Sequence, residues 1–108
     1  MRRFDVFLIR LDPTRGSEIA KTRPCVIVSP DAMNDALRTV IVAPMTTGKK
    51  AWPSRVKCKF RGQDGEIALD QIRAVDKTRL VRRVGALDKA TCRRLTATLV
   101  EMFAADGN

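Results

Sequence analysis

The segment Gly16-Ser17-Glu18-Ile19-Ala20-Lys21-Thr22-Arg23-Pro24 is a polar loop that carries both charges and ends on an arginine locked by proline. The apolar run Cys25-Val26-Ile27-Val28 follows it directly. Pro24 biases Arg23 towards an extended backbone, so Arg23 is expected at the mouth of the next strand. A loop that hands a planar, always-charged guanidinium to a rigid strand suits a site that binds an anion. Taken alone, the same composition also describes a solvated hairpin loop beside a core strand. Histidine is absent, which removes the usual general base and the usual metal ligand. Any hydrolytic chemistry must then use carboxylates, arginines and hydroxyls.

The charge balance narrows the partner. Twenty-one Lys and Arg stand against 12 Asp and Glu, a formal net charge of +9. That excess predicts a polyanion, nucleic acid first, although an acidic protein is drawn by the same field. Lys49-Lys50 lie in a loop with Trp52, and Arg55, Lys57 and Lys59 alternate with Val56, Cys58 and Phe60. Such a basic strand can track a nucleic-acid backbone while Trp52 stacks a base. For these residues alone, a solvated charged face with Trp52 folded onto the core fits equally. No apolar run approaches the roughly 18 residues of a membrane span. The start, Met1-Arg2-Arg3-Phe4-Asp5, does not read as a signal peptide. Cys25, Cys58 and Cys92 are odd in number and contain no C-x-x-C pair. They read as buried free thiols of a reducing cytosol, not as metal ligands or disulfide partners.

The elements that position these residues follow from periodicity and punctuation. With 108 residues the chain is one domain, residues 1–108. Phe4 to Leu11 is a first strand, apolar enough on both faces to be central. Asp12-Pro13-Thr14-Arg15-Gly16 turns the chain. Ser29 is expected to cap a short helix over Asp31–Leu37, with Pro30 at its first position and Met33 and Leu37 sharing a face. Thr39–Thr46 is a strand whose Pro44 places its end at an edge or bulge. The strand Arg55–Phe60 turns through Arg61–Gly65 into Glu66–Leu69. Alternation slips at Asp70-Gln71, which predicts a bulge or break. Asp76–Arg79 is a turn or single 3₁₀ turn, and Leu80–Ala86 a further strand. Asp88 caps a final helix to about Ala105, with Leu87 and Cys92 as staple and Leu95, Leu99, Met102 and Phe103 as its buried stripe. Gly107 is its natural stop. The sum is a mainly β, α+β domain: five to seven short, mostly antiparallel strands in a barrel-like sheet, with a small inserted helix and a long C-terminal helix.

Four blocks standing in this order carry a resemblance. They are Leu11-Asp12-Pro13-Thr14-Arg15-Gly16-Ser17-Glu18, Lys21-Thr22-Arg23-Pro24, Ile41-Val42-Ala43-Pro44-Met45-Thr46 and Asp70-Gln71-Ile72-Arg73-Ala74-Val75-Asp76-Lys77. Together, over nearly the whole chain from Asp5 to Phe103, they resemble the MazF/PemK/Kid family of toxin endoribonucleases. The resemblance implies an SH3-like barrel, a homodimer, and cleavage of single-stranded RNA without a metal or other cofactor. It also implies silencing by a co-expressed acidic antitoxin in the cytoplasm. Arg23 is implied as the catalytic arginine and Thr46 as the catalytic hydroxyl, with Glu18 and Asp70 as candidate carboxylates. Lys21, Thr47, Lys49, Lys50, Trp52, Arg55, Lys57 and Arg73 are the residues expected to meet RNA.

Cleavage without metal or histidine means attack by the neighbouring 2′-hydroxyl on phosphorus. Arg23 offers a fork of donors that matches phosphate oxygens, and Thr46 one donor more. Glu18 or Asp70, ionised at neutral pH, can take the 2′-hydroxyl proton. Each has a plainer reading as well. Glu18 can pair with Lys21 or Arg15, Thr46 can bond backbone, and Asp70 can pair with Arg73 or Arg79. Ser17 replaces a histidine of some relatives, and Ala68 replaces a proposed catalytic arginine of the plasmid-borne branch, which weakens the case for Asp70. Two other functions use a similar fold. A gyrase poison relies on a C-terminal Trp-Gly-Ile ending, whereas this chain ends Ala104-Ala105-Asp106-Gly107-Asn108 and has Trp52 alone. A non-catalytic nucleic-acid-binding barrel would bind RNA and leave it intact.

Overall fold

The computed structural model describes residues 1–106. Strands β1 (Asp5–Arg10), β2 (Thr22–Ile27), β3 (Thr39–Thr46), β4 (Arg55–Phe60), β5 (Gln63–Ala68), β6 (Arg73–Asp76) and β7 (Leu80–Ala86) form one curled antiparallel sheet. Their order is β4-β5-β3-β2-β1-β7, with β6 also on β3. Helix α1 (Asp31–Ala36) is inserted before β3, and helix α2 (Lys89–Phe103) closes the chain and packs on β4. The result is a half-barrel with a C-terminal helix, the SH3-like plan expected.

Alternation in β2 explains the two cores. Val26 and Val28 join Val6, Ala43, Met45, Val56, Ile67 and Leu95 on one side of the sheet. Cys25 and Ile27 join Ile9, Leu11, Val40, Val42 and Val75 on the other. Each such fully buried aliphatic side chain stabilises the fold by roughly 1.5–3 kcal/mol. The strand that carries Arg23 is therefore fixed from both faces. Strand β1 is central as expected, paired with β2 on one edge and β7 on the other. Arg23 itself sits one residue further in than expected, inside β2 and opposite Ile9.

Strand β3 is the hinge of the sheet. Thr39 to Val42 pair with β6, and Met45 and Thr46 pair with β5. Pro44 falls where that edge changes partner, and its other neighbour is Cys25 of β2. It thus marks an interior change of partner, not an outer edge. The slip at Asp70-Gln71 is a 3₁₀ turn over Leu69–Gln71 that separates β5 from β6. A second 3₁₀ turn, Lys77–Arg79, is capped by Asp76, whose Oδ1 accepts the Thr78 N–H at 2.9 Å.

Two local expectations fail for physical reasons. Ser29 does not cap α1, which begins after Pro30. Its hydroxyl points inward instead, donating to Asn34 Oδ1 at 2.5 Å and accepting the Ile41 N–H at 3.0 Å. Asn34 is therefore the buried residue of α1, while Met33 and Leu37 are exposed. In α2, Asp88 caps as expected, accepting the Thr91 N–H at 3.4 Å. Only Thr91 and Leu95 are buried, however. Leu99 is partly covered, while Met102 and Phe103 are exposed, Phe103 to 70%. The expected stop at Gly107 lies outside the described residues.

Candidate functional site

Arg23 and Thr46 lie on the neighbouring strands β2 and β3 and line one cleft of about 170 Å³ with Met45, Thr47, Phe60 and Asp64. Arg23 Nε donates to the Ala20 carbonyl at 2.9 Å, which fixes the plane of the guanidinium. Both Nη groups stay without a protein partner among the described residues. Thr46 Oγ1 accepts the Gly48 N–H at 3.1 Å, so its own proton remains free to donate. Gly65 on β5 passes so close that a Cβ there would lie 2.5 Å from the Thr46 carbonyl oxygen. The glycine is what lets β5 seat Thr46 at the cleft.

A second cleft, of about 460 Å³, adjoins it across the β4–β5 hairpin, and the two share Cys58, Asp64 and Gly65 in their linings. Lys49, Lys57, Lys59 and Arg94 line that second cleft. A third, of about 530 Å³, shares Ala51, Lys57 and Arg94 with it and adds Trp52. The three adjoin one another between Arg23 and Trp52, and Lys49, Lys57, Lys59 and Arg94 make that stretch of surface, here called the groove, basic. Lys50 and Lys21 are exposed; the Lys50 ammonium stands 5.7 Å from the Trp52 ring, and Lys21 lines none of the three clefts. Arg94 escaped the sequence reading because α2 reads only as a core helix. Its register against β4, where Nη1 donates to the Lys57 carbonyl at 3.0 Å, is what brings it here.

Arg55 is not on the basic outer face. Its side chain is 6% exposed and sits between two carboxylates, 3.6 Å from Glu66 and 2.7 Å from Asp70. The hydrogen bond to Asp70 above all raises its pKa further beyond the usual arginine value. Burial pushes the Asp70 carboxyl up, but hydrogen bonds from Arg55 and Ser54 outweigh it and hold the group below its usual range. Asp70 is thus the partner of Arg55, not of Arg73 or Arg79, and not a free base. Glu66, which periodicity alone did not single out, is buried. Its oxygens accept the backbone N–H groups of Lys50 at 3.0 Å and Ala51 at 2.9 Å. Burial raises its pKa, and those two amides together with Arg55 bring it below the ordinary value.

Glu18, Asp70 and Arg73 line a separate cleft of about 230 Å³ with Ile19, Pro44 and Gln71. Glu18 is exposed and pairs with neither the Lys21 nor the Arg15 side chain; its Oε1 accepts the Arg15 N–H at 2.5 Å. Gln71 Oε1 accepts the Ile19 N–H at 3.1 Å, and Arg73 Nη1 donates to the Leu11 carbonyl at 3.1 Å. Both side chains therefore tie down the loop that precedes Arg23. Among the described residues the carboxylate that shares the Arg23–Thr46 cleft is Asp64. Cys25 is buried and its thiol is pushed up to about 12, by burial against the lowering effect of Arg73 and Arg23. Such a thiol is inert. No group of three or more His, Cys, Asp and Glu side chains forms a metal site among the described residues, and no described helix is long and apolar enough to cross a membrane.

The fold superposes on MazF from Deinococcus radiodurans with a TM-score of 0.84 at 20% identity, over 97% of each chain. It also superposes on an endoribonuclease from a mycobacterial species, solved in complex with its cognate antitoxin. The TM-score there is 0.82 at 21% identity, over 100% of this chain and 99% of the other. In sequence the chain is 41% identical over 96 residues to Endoribonuclease MazF of Staphylococcus epidermidis, covering 83% of this chain and 80% of the relative. A family profile described as PemK-like, MazF-like toxin of type II toxin-antitoxin system matches residues 2–103, and the chain belongs to that family.

Proposed function

We propose that this toxin is an endoribonuclease that cuts single-stranded RNA in the Arg23–Thr46 cleft and is silenced by an acidic antitoxin. The single observation that carries the reading is a guanidinium with free Nη donors and a hydroxyl with a free proton lining one cleft, which adjoins a cleft lined by Lys49, Lys57, Lys59 and Arg94. The 41% identity to a protein named an endoribonuclease supports it. The 2′-oxygen attacks phosphorus, the bond to the 5′-oxygen breaks, and a 2′,3′-cyclic phosphate and a 5′-hydroxyl result. Arg23 and Thr46 stabilise the charge that grows on the non-bridging oxygens. Glu18, on the loop whose Ala20 carbonyl holds Arg23 but lining the separate cleft of Asp70 and Arg73, is the first candidate to take the 2′-hydroxyl proton, and water protonates the leaving oxygen. Asp64 is the second candidate for that proton, because it lines the same cleft as Arg23.

The RNA contacts assigned to Thr47, Lys49, Lys50, Trp52 and Lys57 follow the groove, and Lys59 and Arg94 join them, whereas Lys21 lines none of its clefts. Arg55 and Arg73 act through the protein and not on RNA. A homodimer would cover part of the apolar end of α2, where Val100 is 64% and Phe103 70% exposed. The test is incubation of the purified protein with a long mixed-sequence RNA in EDTA, followed by mapping of the ends. Fragments ending in 2′,3′-cyclic phosphate are expected; intact RNA overturns the reading and leaves a binding protein on the same fold.

A further inference from the structure

We propose that Trp52 is the stacking platform for one unpaired base of the bound RNA, and that the Arg55–Glu66–Asp70 network is the device that positions it. The inference rests on the RNA reading above and adds a base subsite to the groove. Trp52 is the single tryptophan of the chain and is 49% exposed. A tryptophan joins a large apolar ring to a polar N–H, which is why the residue is enriched at interfaces. Here the indole lies against two cations: Arg55 Cζ is 4.8 Å from the ring centroid and Lys50 Nζ 5.7 Å, and the exposed Lys50 is the one that gives way to a base. The Arg55 guanidinium cannot drift, because Glu66 and Asp70 hold it from two sides.

The backbone around Trp52 is held as firmly as its ring. Glu66 takes the N–H groups of Lys50 and Ala51, the two residues that precede it. The Arg55 N–H donates to the Trp52 carbonyl at 2.9 Å. Ala51 stands at φ 55°, a left-handed conformation that a non-glycine residue keeps only when its surroundings hold it there. A buried carboxylate that grips a strained loop just before an exposed indole is an arrangement for presentation. The cleft beside the ring is lined by Lys57 and Arg94, which can take the phosphates on either side of a stacked base. Every base has a π face, so the platform adds affinity and spacing from the cut, not a choice of letter.

The test uses a mixed-sequence RNA 12-mer with 2′-O-methyl groups throughout, which cannot supply the attacking hydroxyl. Binding is read from the anisotropy of a labelled copy. Stacking is read separately, from Trp52 emission with an unlabelled copy, without interference from any other tryptophan. Saturation is expected to quench Trp52 strongly. Trp52→Ala should weaken binding on the order of 10- to 100-fold, and Trp52→Phe should stay within about threefold of the original. Glu66→Gln should lower both the affinity and the quenching amplitude at saturation; if that variant does not fold, Asp70→Asn reads the same effect. RNA that binds with Trp52 emission unchanged, or Trp52→Ala binding as tightly as the parent, overturns the platform and leaves the RNA reading intact. Full quenching and affinity in Glu66→Gln or Asp70→Asn overturns the positioning role. No binding of RNA at all overturns this inference and the RNA reading together.

Discussion

Arg55 and Asp70 meet at two points, Nε to Oδ1 at 2.7 Å and Nη2 to Oδ2 at 3.2 Å. The contact engages both Asp70 oxygens with Arg55, and on the reading proposed above it leaves Asp70 a supporting residue of the groove. Asp70→Asn should therefore lower kcat at saturating RNA far less than the roughly 10²-fold or more that loss of a general base costs. Its deficit should appear in KM, through a loosened Arg55. Initial rates over a range of RNA concentrations decide this, and a kcat loss of that full size with KM unchanged would return Asp70 to the chemistry.

The same network sets an acid limit on stability. Glu66 and Asp70 are both held below their ordinary values of 4.5 and 3.8, so the folded protein binds their protons less readily than the unfolded chain. The stability they contribute is complete above those unfolded values and is lost as pH falls through the lower folded ones. Urea unfolding between about pH 2 and 6 should show wild-type stability dropping across that window. Glu66→Gln should flatten the drop and cost about 2–4 kcal/mol at neutral pH, because Arg55 is left buried with one partner gone. An unchanged slope in the variant would show that Glu66 keeps the same pKa in both states.

For the cleft itself, Arg23→Lys keeps a charge but loses the fork, and it should slow cleavage by at least about 10²-fold. Thr46→Val keeps the shape and removes the donor, with a loss of the same order. Both variants should melt within a few degrees of the parent. Near-full cleavage by Arg23→Lys would remove Arg23 from the site.

The choice of base is open to a pH profile. With no histidine in the chain, the acidic limb of kcat/KM should belong to a carboxylate and not to an imidazole. Glu18→Gln should abolish that limb, while Asp64→Asn should keep it. A limb that persists in Glu18→Gln and vanishes in Asp64→Asn would transfer the role to the residue that shares the Arg23 cleft.

Much of this arrangement was legible beforehand, and the failures share a cause. The strands, the break at Asp70-Gln71 and the cap at Asp88 follow from local chemistry, and Arg23 and Thr46 follow from motif blocks. What periodicity could not supply is which outward charge is truly outward. Arg55 alternates in step with Lys57 and Lys59, yet it alone is buried, because Glu66 and Asp70 arrive from β5 and the following turn. Arg94 was hidden for the converse reason, since a helix pattern shows which face is apolar but not which strand lies beneath. Met102 and Phe103 continue the apolar stripe of α2, yet they are left exposed, because a stripe shows which face is apolar and not how far along the helix it is covered.

Gly65 turns one of these tertiary facts into a measurement. A Cβ there would stand 2.5 Å from the Thr46 carbonyl oxygen, and both groups belong to paired backbone that cannot swing aside. Gly65→Ala should therefore destabilise by about 1–3 kcal/mol and displace Thr46 from the cleft. Chemical denaturation together with cleavage rates checks both effects. An alanine variant with unchanged stability would mean that β3 and β5 separate there without cost.

The last prediction concerns silencing. A chain at +9 with a groove lined by Lys49, Lys57, Lys59 and Arg94 is best blocked by an acidic segment that lies along the groove and folds as it binds. Such a segment would meet the same cations as RNA, so the two should exclude each other. Association should be fast and should slow steeply with salt, while apolar anchors make the complex persist. Titrating RNA-bound protein with an acidic antitoxin segment should release RNA in step with occupancy. Lys57→Glu should weaken both ligands together. Tight binding of the segment with RNA affinity and cleavage unchanged would place inhibition outside the groove, and a Lys57→Glu variant that loses RNA but keeps the segment would separate the two footprints.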